Sequence, residues 1–363
     1  MFRVLPYCVC FIYPFLILLT ARGGWFLLSV PIFSNVLVPI LDNLLGVNEW
    51  NPNSDEEAQL RSNWLYRAIL WLWVPVQLWM LLFGLAWVIE PGRTVVDLIG
   101  MSVAVGLSIG IVGITFAHEL SHRPNKLENY LGEALTGMVS YSHVGIEHVQ
   151  GHHRYVATPE DPVTARFNEN FYHFYWRSLI GGYLTSWPLE AQRLRKLGKN
   201  PWGPENRMIR YTITHLLIYG FFYWAGGLIG LAYFFLQAYV AMSILQTANY
   251  LQHYGLMRKE IAPGQFERTR PVHAWSSGHK FTNWLLVNLP RHADHHEVAS
   301  KPYQVLQNDL ERSPQLPYGY GTMIGIAMIP PLWFKMMNPI VLRWREIDET
   351  RPANARLAPP AVP

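Results

Sequence analysis

Three histidines crowd into the stretch Val144 to Pro162, V-G-I-E-H-V-Q-G-H-H-R-Y-V-A-T-P-E-D-P: His148, His152 and His153, beside Glu147, Glu160 and Asp161. Neutral imidazole is the commonest metal ligand a side chain offers, so this stretch reads as half of a metal site. Its partners lie in three other boxes. H-E-L-S-H-R carries His118 and His122, four apart and therefore on one face of a helix. N-Y-L-Q-H-Y-G-L-M-R, Asn249 to Arg258, carries His253, and L-P-R-H-A-D-H-H, Leu289 to His296, carries His292, His295 and His296. Nine of the chain's 14 histidines thus fall in four short stretches.

Nine imidazoles exceed the needs of one ion, since a catalytic zinc takes about three protein ligands. They suit two ions with four or five nitrogens each. Imidazole serves Zn, Cu, Fe and Ni alike, so ligand type alone leaves the metal open. A zinc pair would imply hydrolysis, an iron pair oxygen activation. H-E-L-S-H is also a literal HExxH, in which Glu119 would be the general base of a zinc protease. That reading leaves seven boxed histidines unexplained, and no L-D-G-type second motif accompanies it. Cys8 and Cys10 are too few for an iron–sulfur or rubredoxin-type centre, which needs four thiolates. They read as small apolar filler in a helix.

What must position these boxes is an apolar frame. Half of the 363 residues are hydrophobic, 14% are aromatic and only 15% are charged, where soluble domains carry about 25%. The composition predicts an all-α integral membrane protein. A spanning helix needs ~20 mostly apolar residues, and six segments qualify, near residues 4–20, 25–45, 64–89, 95–117, 208–224 and 228–250. Short breaks at Ala21–Gly24, Pro91–Gly92 and Gly226–Gly227 pair them into three hairpins. The first run reads as a retained helix, because Arg3 is its only early cation and no A-x-A site follows cleanly.

Of 29 Lys and Arg, only Arg22 and Arg93 fall at the tight turns, while Arg123 to Arg210 contains eleven. The rule that short cytoplasmic loops carry the cations then puts the long polar stretches and every histidine box in the cytoplasm. The net charge of +4 is small and not gathered into a block, so no nucleic-acid partner is read from it.

Gly106, Gly110 and Gly113 in the fourth segment allow close approach of a neighbouring helix. Leu131–Val144, Phe171–Leu189 and Met323–Met337 are too short or interrupted to span, and are expected on the cytoplasmic face or at the interface. Residues 1–349 read as one membrane-embedded domain, and the Pro- and Ala-rich tail, 350–363, as disordered.

H-x3-H, H-x3-H-H and H-x2-H-H on a multi-span chain resemble the membrane desaturase–hydroxylase superfamily. The fuller strings, H-E-L-S-H-R, E-H-V-Q-G-H-H-R-Y-V-A-T-P-E-D-P, N-Y-L-Q-H-Y-G-L and R-H-A-D-H-H followed by K-P-Y-Q, resemble the bacterial AlkB-type alkane 1-monooxygenases over roughly Asp42 to Val341. Gln252 departs from the family's usual Glu, and Pro290 from its usual Gln. The resemblance implies a non-haem centre of two Fe ions held by the nine histidines, with O2 as co-substrate. It implies reduction by a separate rubredoxin, served by an NADH-dependent reductase, and hydroxylation of medium-chain n-alkanes drawn from membrane lipid. It also implies a multi-pass protein of the bacterial inner membrane. A xylene methyl hydroxylase or a fatty acyl desaturase would use nearly the same boxes.

Around the ligands, Glu119, Glu147, Asp161, Asn249 and Asp294 are candidates for orienting histidines, since a ligating imidazole usually donates its other N–H to a carboxylate or carbonyl. Arg154, Arg258 and Arg291 flank the boxes and would meet an acidic partner or the headgroups. Ser34 on the second span and Trp71 on the third are candidates for lining a substrate channel. Trp64 and Trp87, at the ends of the third span, read as an interfacial belt. His215, inside a span, reads as a packed, hydrogen-bonded residue, while His143, His273 and His279 read as neighbours of the ligands.

Overall fold

The computed structural model of the protein describes residues 2–350. The tail expected to be disordered therefore lies, from residue 351 on, outside the described residues. Helices dominate, and the one sheet among the described residues is a hairpin of Glu260–Ala262 with Gln265–Phe266. Four helices long and apolar enough to cross a membrane come first: α1 (Arg3–Thr20), α2 (Gly24–Leu45), α3 (Leu65–Val88) and α4 (Val95–Ser121). Two more polar helices follow, α5 (Lys126–Gly137) and α6 (Phe171–Lys196), and then α7 (Arg207–His253), again long and apolar.

The 47 residues of α7 are two spans run together. Gly227 has φ 57° and ψ −143°, a conformation essentially reserved for glycine. Rings twelve and fifteen residues apart then meet, with Phe222 and Phe234 centroids at 4.7 Å and Tyr219 and Phe234 at 5.6 Å. The chain doubles back at the predicted Gly226–Gly227 break, and with five helices long and apolar enough to cross, the protein is a multi-pass membrane protein. The chain ends in α8 (His292–Glu297), α9 (Tyr320–Ala327) and α10 (Pro330–Thr350).

The chain divides into two compact units. The first comprises residues up to Leu37, Trp64–Val149 and Tyr183–Leu245. Its glycines admit α7 against α4: a Cβ on Gly106 would lie 2.6 Å from the Gln237 carbonyl oxygen, and one on Gly110 2.9 Å from Ala241 Cα. Such short approaches are what hold helices together in lipid, where apolar burial no longer drives association. Trp73, fully buried, packs between Phe11 (5.9 Å) and Phe116 (5.8 Å).

Short α5 is held at both ends within this unit. Glu128, buried near its start, accepts from Arg67 Nε (2.9 Å) and Trp71 Nε1 (3.1 Å). The last carbonyls of a helix lack intrahelical partners, and in an apolar bundle they need one. Gln77 Nε2 donates to Leu135 O (2.9 Å) and Gln237 Nε2 to Met138 O (3.1 Å). One face of α7 supplies three more bonds: Tyr211 to Glu133 (2.6 Å), His215 to Ser142 (3.0 Å) and Tyr219 to Ser140 (2.9 Å). His215 is thus the packed, hydrogen-bonded residue expected of it. Trp87, expected in an interfacial belt, is instead buried: Nε1 donates to Ala21 O (2.9 Å) and the Arg93 guanidinium lies 3.8 Å over its ring.

The second unit comprises Val38–Asn63, Gln150–Gly182 and the chain from Gln246 on. Its core is aromatic, built on Tyr250, Tyr254, Trp275 and Trp333, with Trp333 5.1 Å from Tyr250 and 5.3 Å from Tyr254. α9 and α10, bent by 119° at the break between them, bring Met323, Met337 and Val341 into this core. Arg291 is buried here too, donating to Leu306 O (2.7 Å), Asn51 Oδ1 (3.2 Å) and Trp50 O (3.2 Å). It is therefore removed from the docking role the sequence offered it, because its guanidinium is spent on tying the 50s loop to the fourth box.

Candidate metal centre

His118 and His122 close the last turns of α4. Pro124 disfavours helical backbone at the residue before it, and the helix ends at Ser121. Asn129 Nδ2 then donates to Leu120 O and Arg123 O, both at 2.9 Å, capping the end that carries the pair. Gly132 lets α5 lie against this turn, since a Cβ there would sit 3.1 Å from Ala117 O. His148 comes from the π-wound segment Glu147–His152, a winding common at functional sites. Within the first unit, ring centroids of His118 and His148 are 4.3 Å apart, and His122 and His148 oppose their Nε2 atoms at 3.0 Å.

The second unit gathers the other six. One potential ligand atom from each of His152, His253, His292 and His296 lies within 4.8 Å of the other three, and all four residues are buried. His292 Nε2 is 3.0 Å from both His253 Nε2 and His296 Nε2. A single ring nitrogen, with one lone pair or one hydrogen, cannot serve two such neighbours well. Two imidazoles at right angles on one ion, with bonds of about 2.1 Å, place their nitrogens about 3 Å apart. The four rings therefore fit a shared ion. His153 and His295 oppose Nε2 atoms at 3.1 Å. Burial, followed by the neighbouring imidazoles, holds His296 well below the ordinary imidazole range, and a ligand must be neutral to bind a metal.

Residues 93–326, which include all four boxes, match the fatty acid desaturase family. The chain is 39% identical over 305 residues to alkane 1-monooxygenase 1 of Pseudomonas aeruginosa, covering 84% of this chain and 80% of that one. It is 34% identical over 330 residues to the alkane 1-monooxygenase of Acinetobacter baylyi, covering 90% and 79%. The chain belongs to the alkane 1-monooxygenase family. The xylene/toluene monooxygenase hydroxylase component of Pseudomonas putida is more distant, at 28% over 253 residues, 69% of this chain and 66% of that one. The histidine-rich groups are those of a metal-dependent oxygenase.

The carboxylates in this member of the family divide sharply. Asp161 Oδ2 accepts from His152 Nδ1 (2.9 Å) and Thr164 Oγ1 (2.6 Å), while Oδ1 accepts from the Val163 amide (2.9 Å). It leaves His152 Nε2 for the buried group. Asp294 binds Lys301 Nζ through both oxygens (2.9 Å each) and the Gln307 amide (2.8 Å); burial pushes its carboxyl up. Glu119 lies 2.7 Å from the Arg123 guanidinium, which occupies the carboxylate that a protease would need as base. Glu147 is buried beside His148, and Asn249 half-buried one turn before His253.

Ser34 is buried with its hydroxyl 3.1 Å from Tyr13 OH, and Trp71 is tied to Glu128 as described. Gln252 Nε2 donates to Tyr320 OH (3.0 Å), so the neutral amide beside His253 joins two buried helices. His143 is buried between Tyr141 and Tyr183, pushed down to about 3 by burial and by His215. His273 accepts from the Arg270 amide (3.0 Å), and His279 Nδ1 meets Ser277 Oγ (2.9 Å). Glu267, His273 and Asp348 also cluster, but Arg270 bridges both acids (2.8 and 2.6 Å), making this an ion-pair knot. Asn129 and Thr164 escaped the sequence reading, as did the contact of Lys301, in the K-P-Y-Q string, with Asp294. Thr164 had a signal in the turn-rich T-P-E-D-P run just before it.

Proposed function

We propose that this protein hydroxylates the terminal carbon of medium-chain n-alkanes to primary alcohols, at two iron ions held by the nine boxed histidines. The convergence of buried ring nitrogens, four of them in one group, is the observation that carries this reading. Identities of 32–39% to several alkane 1-monooxygenases support it.

His152, His253, His292 and His296 hold one ion, and Asp161 keeps the proton of His152 on Nδ1. Iron, when bound, supplies the valence change that O2 activation needs and zinc lacks. The overall reaction replaces one C–H bond by C–O–H, releases the second oxygen atom as water and consumes two electrons and two protons. The chain's part is ligand geometry, exclusion of water by the apolar frame and alignment of the methyl group. It takes electrons from rubredoxin, itself reduced by an NADH-dependent reductase. The boxes face the cytoplasm from the bacterial inner membrane, as the cation distribution argues.

Membranes containing the full chain, given rubredoxin, its reductase, NADH, octane and 18O2, should yield octan-1-ol carrying one 18O. Desaturation without alcohol overturns the reading. The xylene/toluene relative favours a second one, methyl hydroxylation of arenes, which the same assay separates by product from xylene.

A further inference from the structure

The 21 residues Glu190 to Arg210 hold six cations, Arg193, Arg195, Lys196, Lys199, Arg207 and Arg210, against Glu190 and Glu205. Their net charge of +4 equals that of the whole chain. Both acids are already engaged: Glu190 takes Arg193 (2.6 Å) and Arg207 (2.7 Å), and Glu205 takes Lys199 (3.3 Å). Arg195, Lys196 and Arg210 are exposed and have no acidic partner among the described residues. Between them stand two exposed apolar side chains, Leu197 (58% exposed) and Trp202 (73%).

The loop that displays these groups is built. Gly198, at φ 69°, closes α6, and the Lys199 amide donates to Leu194 O (2.9 Å). Buried Asn206 caps α7, accepting from the Met208 amide (2.8 Å) while donating to Pro201 O (2.6 Å). The Trp202 ring stands 6.1 Å from Trp187, which packs on Ile146, Met208 and Tyr211. Directly beyond Arg210, and on its face of α7, Ile213 and Leu217 are 54% and 70% exposed. The cations therefore sit where a lipid-facing surface begins.

We propose that this collar binds the headgroup of anionic phospholipid. Phosphodiester oxygens accept readily from cationic side chains, Trp is enriched at headgroup depth, and each cation near an anionic surface contributes roughly fivefold in affinity. An acidic protein would find the same charges. Exposed Leu197 and Trp202, and the direct run into a crossing helix, favour lipid. The proposal is independent of the metal reading.

The test is native mass spectrometry of the detergent-purified full chain, offered phosphatidylglycerol and phosphatidylcholine of equal chain length. The wild type should retain phosphatidylglycerol several-fold over phosphatidylcholine, and excess inorganic phosphate should not displace it. The variant Arg195→Gln/Lys196→Gln/Arg210→Gln should retain the two lipids about equally, whereas Arg195→Lys/Arg210→Lys should keep the preference. Trp202→Ala should weaken retention of both lipids. No preference in the wild type, or an unchanged preference in the glutamine variant, overturns the proposal. Loss of reduction by soluble donor in that variant, with lipid preference intact, reassigns the surface to an acidic protein.

Discussion

Asp161 shows how little of a metal site lies in its ligands. Three donors converge on its carboxylate, so His152 is held in one tautomer and one orientation, the usual task of a carboxylate behind a ligating imidazole. Asp161→Asn should lower both bound iron and hydroxylation roughly 10–100-fold, read by metal analysis and alcohol yield. Asp294→Asn, whose bonds go to Lys301 and Gln307, should cost far less iron. Sequence offered the two acids as equals, because each stands close to histidines along the chain. Only the fold reveals that Asp294 turns to a lysine seven residues on.

Glu190 carries a pH signature. Burial pushes its carboxyl up, but hydrogen bonds from Arg193 and Arg207 outweigh that and hold it at about 2, below its ordinary 4.5. A depressed carboxyl contributes stability that is complete above the ordinary value and lost as pH falls toward the folded one. The melting-temperature gap between wild type and Glu190→Gln should be constant above about pH 4.5 and shrink on the way down to about 2. A gap that widens on acidification would contradict this.

At the scale of elements, glycine decides where helices meet. A Cβ on Gly110 would fall 2.9 Å from Ala241 backbone atoms, which cannot yield as a flexible side chain can. Gly110→Leu should cut the yield of folded protein and lower its melting temperature by several degrees, whereas Gly145→Ala, which meets nothing within 4 Å, should change neither much. The GxxxG pair and the Gly226–Gly227 break were legible because each is a local necessity, close approach in one case and positive φ in the other. Hydropathy located the crossing segments for the same reason. The π-winding at Glu147–His152 and the Gln77 and Gln237 caps on α5 were not legible. They answer partners far away in sequence, and neither glutamine differs locally from any other polar residue in a span. The burial of Trp87 belongs with these, since Ala21 and Arg93 decide it.

For the whole molecule, low charge and high aromatic content announced a membrane protein, and the four boxes announced a metal. The frame and the boxes belong together physically, because helices packed in an apolar frame fix the positions of the imidazoles that they carry. What composition could not choose was the metal. Iron content of the purified full chain, with Mössbauer spectra of the same sample, tests the nine-histidine centre most directly. Two high-spin, nitrogen-ligated irons per polypeptide are expected, depleted together with hydroxylation in His253→Ala. One zinc and no iron, or full activity in that variant, would contradict it.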